Sequence, residues 1–287
     1  MKPARRPFRA FLSIVLRTLV GLVAVVLLLA VVALAALQTS AGRQMAEGLV
    51  NSLASGPDGG VKISGLAVSW GLDARLAGIE VSDAAGPYLL VRDVALDWHP
   101  LALLGGRADV ERLTVGSLDL SRLPRPGTTA EDGGGSIPAL PLRLGEARIE
   151  TISIGEAVAG EAMRLSARAD ARLDAAPRTA IANLSVQRID GTDGGVEARV
   201  RFAPDANQLA FDVTMSEPRG GLAARLLQIE GLPALDFTLK GDGPLDDWKA
   251  DLALSLDGRT EIAGPARLTR ERGAAPVPRA GLGGGPG

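Results

Sequence analysis

Few residues in this chain are of the types that do chemistry. Its 287 residues include one histidine and no cysteine. That removes thiolate nucleophiles, thiolate metal sites and any site needing two imidazoles. His99 lies in Asp97-Trp98-His99-Pro100, where the pattern predicts a strand end. A general base needs a nucleophile and an orienting group within hydrogen-bond reach. At a strand end beside Pro100, His99 reads as a turn residue and not as a base. Asp242, Asp246 and Asp247 flank Gly243-Pro244 and could offer oxygen ligands to calcium. Their spacing does not match a calcium loop, and Asp and Gly are what a tight turn requires. No Gly-x-Ser-x-Gly elbow, phosphate loop or dinucleotide fingerprint occurs. The sequence therefore predicts no catalytic residue, no metal site and no cofactor, and points away from an enzyme.

What the sequence has in quantity is apolar surface. From Leu19 to Leu37 no charged residue interrupts the chain. About 20 apolar residues at a rise of 1.5 Å span the roughly 30 Å core of a bilayer. Lys2, Arg5, Arg6, Arg9 and Arg17 precede the run without an acid, which keeps the N-terminus cytoplasmic. Residues 1–17 are thus a basic cytoplasmic start and 18–40 a transmembrane signal anchor, with Leu19, Val26, Leu28, Val32 and Leu37 facing lipid. Ala33-Leu34-Ala35 also fits a cleavage site. The run is longer than a signal peptide needs, and both readings export the rest of the chain.

Over the whole chain, 33 acids against 31 bases leave a net charge of −2. The basic excess sits before the membrane, so the exported part is mildly acidic and has no basic face for nucleic acid. Without cysteine it cannot be stapled by disulfides. Aromatics are 3%, so any core must be aliphatic.

Residues 41–56 predict a short amphipathic helix, with Met45, Leu49, Val50 and Leu53 at helical spacing. From Val61 the period becomes two, which is the signature of strands with one apolar face. In Tyr88 to Trp98 the even positions carry Leu90, Val94, Leu96 and Trp98. Met163, Leu165, Ala167, Ala169, Ala171 and Leu173 alternate with Arg, Ser and Asp. Val196, Ala198, Val200 and Phe202 form a third set, and Leu209, Phe211, Val213 and Met215 a fourth. Leu235, Phe237 and Leu239, then Ala250, Leu252, Leu254 and Leu256, complete the series. Tight-turn signals between the runs predict about a dozen strands in an antiparallel sheet. Residues 125–137 read as a flexible loop, and Arg219 to Ile229 as a short helix on the sheet. Residues 271–287, rich in Gly and Pro, read as a disordered tail where the chain is cut off.

Rows of this kind need a cover. Two facing sheets make a dry sandwich core, while one curled sheet makes an open groove, and the alternation is the same in both. The expected fold is mainly β: an elongated, curled antiparallel sheet over 57–270 with one or two short helices. Leu90, Val94, Leu96, Leu165, Ala167, Ala169, Val200, Phe211, Val213, Phe237, Leu239, Leu252 and Leu254 are candidates to line its apolar side. An aliphatic wall suffices to hold acyl chains.

Several stretches, in order, resemble one family. They are Leu37-Gln38-Thr39-Ser40-Ala41-Gly42-Arg43 and Val61-Lys62-Ile63-Ser64-Gly65-Leu66, then Leu96-Asp97-Trp98-His99-Pro100 with Leu103-Leu104-Gly105-Gly106. Ser121-Arg122-Leu123-Pro124, Pro138-Ala139-Leu140-Pro141, Gly231-Leu232-Pro233-Ala234-Leu235 and Gly241-Asp242-Gly243-Pro244-Leu245-Asp246-Asp247-Trp248 follow. Together they resemble the N-terminal part of the TamB family, in the AsmA-like superfamily. The resemblance implies a single-pass protein of the Gram-negative inner membrane with a periplasmic β-structure. It implies phospholipid passing between the membranes along a hydrophobic groove, support of outer-membrane protein assembly, or both. The implied partners are phospholipid acyl chains, the inner membrane and a TamA-like Omp85-type outer-membrane barrel. Family members are several times longer, and the C-terminal region that meets the barrel has no counterpart here. The other reading is a membrane-tethered periplasmic scaffold that binds a protein by β-augmentation at an open edge, without lipid transport.

Overall fold

The computed structural model describes residues 55–56, 59–69, 73–124 and 141–269. The predicted anchor, most of the helix assigned to 41–56, the loop at 125–137 and the tail at 271–287 lie outside them. Ser55 and Gly56, assigned above to the helix end, are a strand. No helix among the described residues is long and apolar enough to cross a membrane.

The fold is mainly β, and the described residues form 14 strands in one large curled sheet. β1 (Ser55–Gly56) pairs with β2 (Gly59–Ser64). β2 and the short β3 (Ala67–Val68) share β4 (Ala74–Asp83) as partner. The order then follows the chain: β5 (Gly86–Trp98), β6 (Ala108–Leu120), β7 (Leu142–Ile154), β8 (Met163–Ala175) and β9 (Arg178–Arg188). β10 (Gly195–Ala203), β11 (Gln208–Glu217), β12 (Leu235–Pro244), β13 (Asp247–Leu256) and β14 (Arg259–Thr269) complete it. Helical pieces sit in connections. They are 3-10 turns at Pro100–Gly105 and Pro204–Ala206, α1 (Glu156–Ala159) and α2 (Leu222–Leu226). α2 is the centre of the helix expected over Arg219 to Ile229.

The sheet is not antiparallel throughout. β6 and β7 run parallel, in register from Ala108 opposite Leu142 to Leu120 opposite Ile154. A parallel neighbour needs a crossover of about a dozen residues or more. The connection from Ser121 to Pro141 supplies that length; the other connections after β4 return antiparallel, including the long one over 218–234 between β11 and β12.

The packed core lies in the first half. Ile63, Leu76, Ile79, Val91, Val94, Leu96, Trp98, Leu113 and Val115 are buried together with Leu66 from the β2–β3 turn. These residues do not follow a simple period of two. Leu76 and Ile79 both face inward, three apart, as do Val91 and Val94. Val115 and Leu118 on β6, and Ile149 and Ile152 on β7, repeat the same step. Because four adjacent strands carry it at one level, pairing survives. Ile79, Val91, Leu118 and Ile152 stay opposite one another, as do Leu76, Val94, Val115 and Ile149. The step is a crease across the sheet. Asp93 lies in it with φ 56°. Gly116 faces Asp93 so closely that a Cβ there would come within 2.9 Å of the Asp93 Cβ. β8 lacks the extra residue, so the crease ends as a bulge between β7 and β8.

The crease corrects one expectation. Strict alternation in Tyr88 to Trp98 puts Leu90 on the face of Val94 and Leu96. With the change of phase at Asp93, Leu89 and Val91 point into the core instead. Leu90 lies between Glu80 and Asp119 on the other face.

Candidate functional site

The register joins inward residues of successive strands into rows, since residues opposite one another in a ladder share a face. One row runs Leu76, Val94, Val115, Ile149, Ala167, Val186, Val196, Met215, Phe237, Leu254, Ile262. The next runs Ala74, Leu96, Leu113, Ala147, Ala169, Leu184, Ala198, Val213, Leu239, Leu252, Gly264. A third contains Ala171, Ala182, Val200, Phe211, Gly241 and Ala250. None of the three carries a charge, hydroxyl or amide side chain. Ten intervals of about 4.8 Å give a strip near 48 Å long.

Burial divides this strip. From β4 to β6 it is packed: Val94 is 3% exposed and Val115 2%. From β7 onward most of its members are only half-buried, and Leu184 at 40% and Ile262 at 42% are exposed. Val94 and Leu96 therefore belong to the core and have no surface to offer a ligand, which removes them from the candidate lining. Leu165, Ala167, Ala169, Val200, Phe211, Val213, Phe237, Leu239, Leu252 and Leu254 are all half-buried on the open part. The anchor residues Leu19, Val26, Leu28, Val32 and Leu37 lie outside the described residues.

Two strands of this face escape a reading by alternation. β7 contributes Leu144, Ala147 and Ile149, whose period is broken by irregularities against β8. β9 contributes Ala180, Ala182, Leu184 and Val186, a clean alternation masked by Ile181 on the wrong parity. Counting each parity separately in Arg178 to Arg188 would have found it.

The opposite face is polar and largely self-satisfied. Asn183 donates to Asp170 at 2.7 Å, and Lys240 pairs with Asp212 at 3.2 Å. Between these side chains and Arg199 lies a hollow of about 660 Å³ over β9–β14. Arg199, Asp212, Lys240 and Asp251 alternate in sign along the register, and Arg201, Asp242 and Lys249 also line the hollow. Val200, Phe211, Gly241 and Ala250 of the third apolar row also line it.

At one end of the sheet the apolar face is capped. α1 and the start of β8 bury Ile154, Val158, Ala159 and Met163, and Leu222 of α2 packs on them. Beside this cap the row through Leu165 meets Arg188. The Arg188 guanidinium, 7% exposed, is held by Asp190 at 2.9 Å and Glu161 at 3.4 Å. That hydrogen-bonded pairing holds the Asp190 carboxyl down to about 2. The cation is fully engaged and does not mark an anion site.

His99 is exposed, with Nδ1 4.0 Å from Asp109. Asp246 accepts from Asn207 at 3.0 Å, and Asp247 holds Arg267 at 2.5 and 2.7 Å. Asp242 stands apart on the polar face opposite Ala210. Among the described residues no three His, Asp or Glu side chains are grouped to hold a metal ion. Comparison with protein-family models, curated proteins and solved structures returns no match to this chain.

Proposed function

We propose that this chain is a membrane-anchored periplasmic factor of the TamB type. It carries phospholipid acyl chains along the open apolar face of β7–β14, between inner and outer membrane, and so supports outer-membrane assembly. The observation that carries this reading is the set of unbroken apolar rows, buried as far as β6 and open from β7 onward. An open aliphatic strip of that size is costly in water at about 25 cal/mol per Å². An acyl chain covers it without needing any hydrogen-bond partner, and no side chain on the strip favours one position over the next. A chain bound there can therefore slide. In this reading the packed β4–β6 section is a foundation, and the lipid would lie beyond it, away from the anchor sequence. The resemblance to the TamB family supports the same reading. A TamA-like Omp85-type barrel would take the lipid or the client from a longer assembly.

The test is photo-crosslinking in a Gram-negative host, using the full chain with a photoreactive residue at Leu239 on the face or at Ala263 on β14. Phospholipid adducts at Leu239, identified by mass spectrometry, are the expected result. Protein adducts at Ala263 with no lipid at Leu239 would replace this reading with the β-augmentation scaffold.

A further inference from the structure

The most exposed large apolar side chains described are Leu104 at 87% and Leu101 at 74%. Both lie in the 3-10 turn Pro100–Gly105 that joins β5 to β6. In a 3-10 helix residues three apart eclipse each other, so the two leucines form one apolar knob. The turn that presents them is rigidly held. Pro100 is buried and Leu103 packs on the core. His99 N donates to Asp109 O at 2.8 Å, Gly106 N to Leu103 O at 2.9 Å and Arg107 N to Ala102 O at 3.2 Å. Gly106 closes the turn in the left-handed region with φ 69°. The architecture thus spends Pro100 and Leu103 on anchoring and leaves Leu101 and Leu104 in water.

We propose that this knob is a second, shallow membrane contact, docking on an anionic bilayer surface beside the anchor. Residues 99–107 contain no acid, and the exposed Arg107 flanks the leucines. An apolar tip with an adjacent cation suits an anionic headgroup layer. Reach agrees. The apolar run ends at Leu37, and the 17 residues before Ser55 span at most about 60 Å. Through Gly60 and Ser82, Ser55 lies level with Pro87, so the β5–β6 turn is about 36 Å along β5 and about three strand spacings, near 14 Å, across from it, which is within that span. The inference rests on the anchor being embedded in a bilayer, as the proposed function requires.

The native chain has no cysteine, so single labels are clean. The full chain is reconstituted in phosphatidylcholine–phosphatidylglycerol vesicles with an environment-sensitive fluorophore. The labelled variants are Leu101→Cys, Leu104→Cys, Leu28→Cys, and the exposed controls Leu123→Cys and Leu227→Cys. The expected result is blue-shifted emission at Leu101→Cys and Leu104→Cys, quenched several-fold more by doxyl lipids than at the two controls. Adding Arg107→Glu reduces that quenching. Solvent-like emission at both knob positions, with quenching at Leu28→Cys, overturns the knob and leaves the anchor standing. A blue shift without lipid quenching also overturns it, in favour of a protein contact. Loss of quenching at all three sinks both readings, and quenching at the knob without quenching at Leu28→Cys overturns the anchor and, with it, a second contact beside it.

Discussion

Gly241 lies under Trp248 on the apolar face. A Cβ there would meet the Trp248 ring, the Ala250 Cβ at 2.7 Å and the Lys249 carbonyl at 2.7 Å. The indole is fixed by its own hydrogen bond, Nε1 donating to Leu209 O at 2.8 Å. It therefore cannot yield without losing that bond, and Gly241→Val should destabilise the fold by about 1–3 kcal/mol. Urea denaturation measures this, with a red shift of Trp emission if the ring is displaced. Asp190 supports a second prediction, in pH. Its carboxylate accepts from Arg188 at 3.0 and 2.9 Å, and from the backbone of Arg164 at 3.1 Å and Thr192 at 3.3 Å. Its folded value of about 2 lies below the unfolded value, which is near 3.9. The stabilisation is therefore complete above the unfolded value and is lost as pH falls through the folded one. Denaturation midpoints of the native chain and of Asp190→Asn should differ most above about pH 5. They should converge towards about pH 2. A gap that is constant with pH would show that ionisation of Asp190 contributes nothing.

At the scale of elements, α2 is too short to be stable alone and is held from outside. Glu217, at the end of β11, accepts from Ala223 N at 2.8 Å and Ala224 N at 3.4 Å. Leu222 then packs on α1, and Arg225 donates to Gly220 O at 3.0 Å. This contact ties the β7–β8 connection to the β11–β12 connection across the intervening β9–β10 turn. Glu217→Ala removes a cap, worth about 1 kcal/mol. Hydrogen exchange should quicken in residues 155–162 and 218–234 and stay unchanged in β4–β6. Uniform acceleration across the sheet would mean that α2 is part of the global fold and not a local clasp. How far such elements can be read from sequence depends on whether their cause is local. The alternation in Met163 to Asp174 is local and uninterrupted, and β8 covers that stretch with the expected residues on the apolar face. The crease at Asp93 is not local. Nothing in Leu90-Val91-Arg92-Asp93-Val94 announces a change of phase, which is permitted because β4, β6 and β7 make the same step. The parallel pairing of β6 with β7 is a third case. A long Gly- and Pro-rich connection is compatible with either direction, and only the register chooses. For the candidate site, the strands were legible and the burial was not. Val94 and Val213 have the same pattern around them, yet one is core and the other half-exposed.

For the whole molecule, that difference in burial makes opposite predictions for one substitution at two places. Val115 and Leu184 both belong to rows of the same face. Val115→Arg puts an unpaired charge into a packed site that is 2% exposed, and buried charges without partners cost several kcal/mol. The variant should lose about 4 kcal/mol or more, or fail to fold. Leu184→Arg places the same group at a position already 40% exposed, where the guanidinium can remain in water and its stem can lie on the face. Stability should change by less than about 1 kcal/mol. Its effect on cargo should nonetheless be large. Leu184 sits near the middle of its row, with Ala169 and Ala198 on either side, so a charge there interrupts the strip that an acyl chain must cross. Thr238→Arg, at an exposed position on the polar face, adds the same charge and is the control. Phospholipid recovered with the purified full chain, measured by mass spectrometry, should fall several-fold in Leu184→Arg and remain at the native level in Thr238→Arg. Equal lipid in all three folded proteins would mean that the open face carries nothing, and that its exposure awaits another layer of protein.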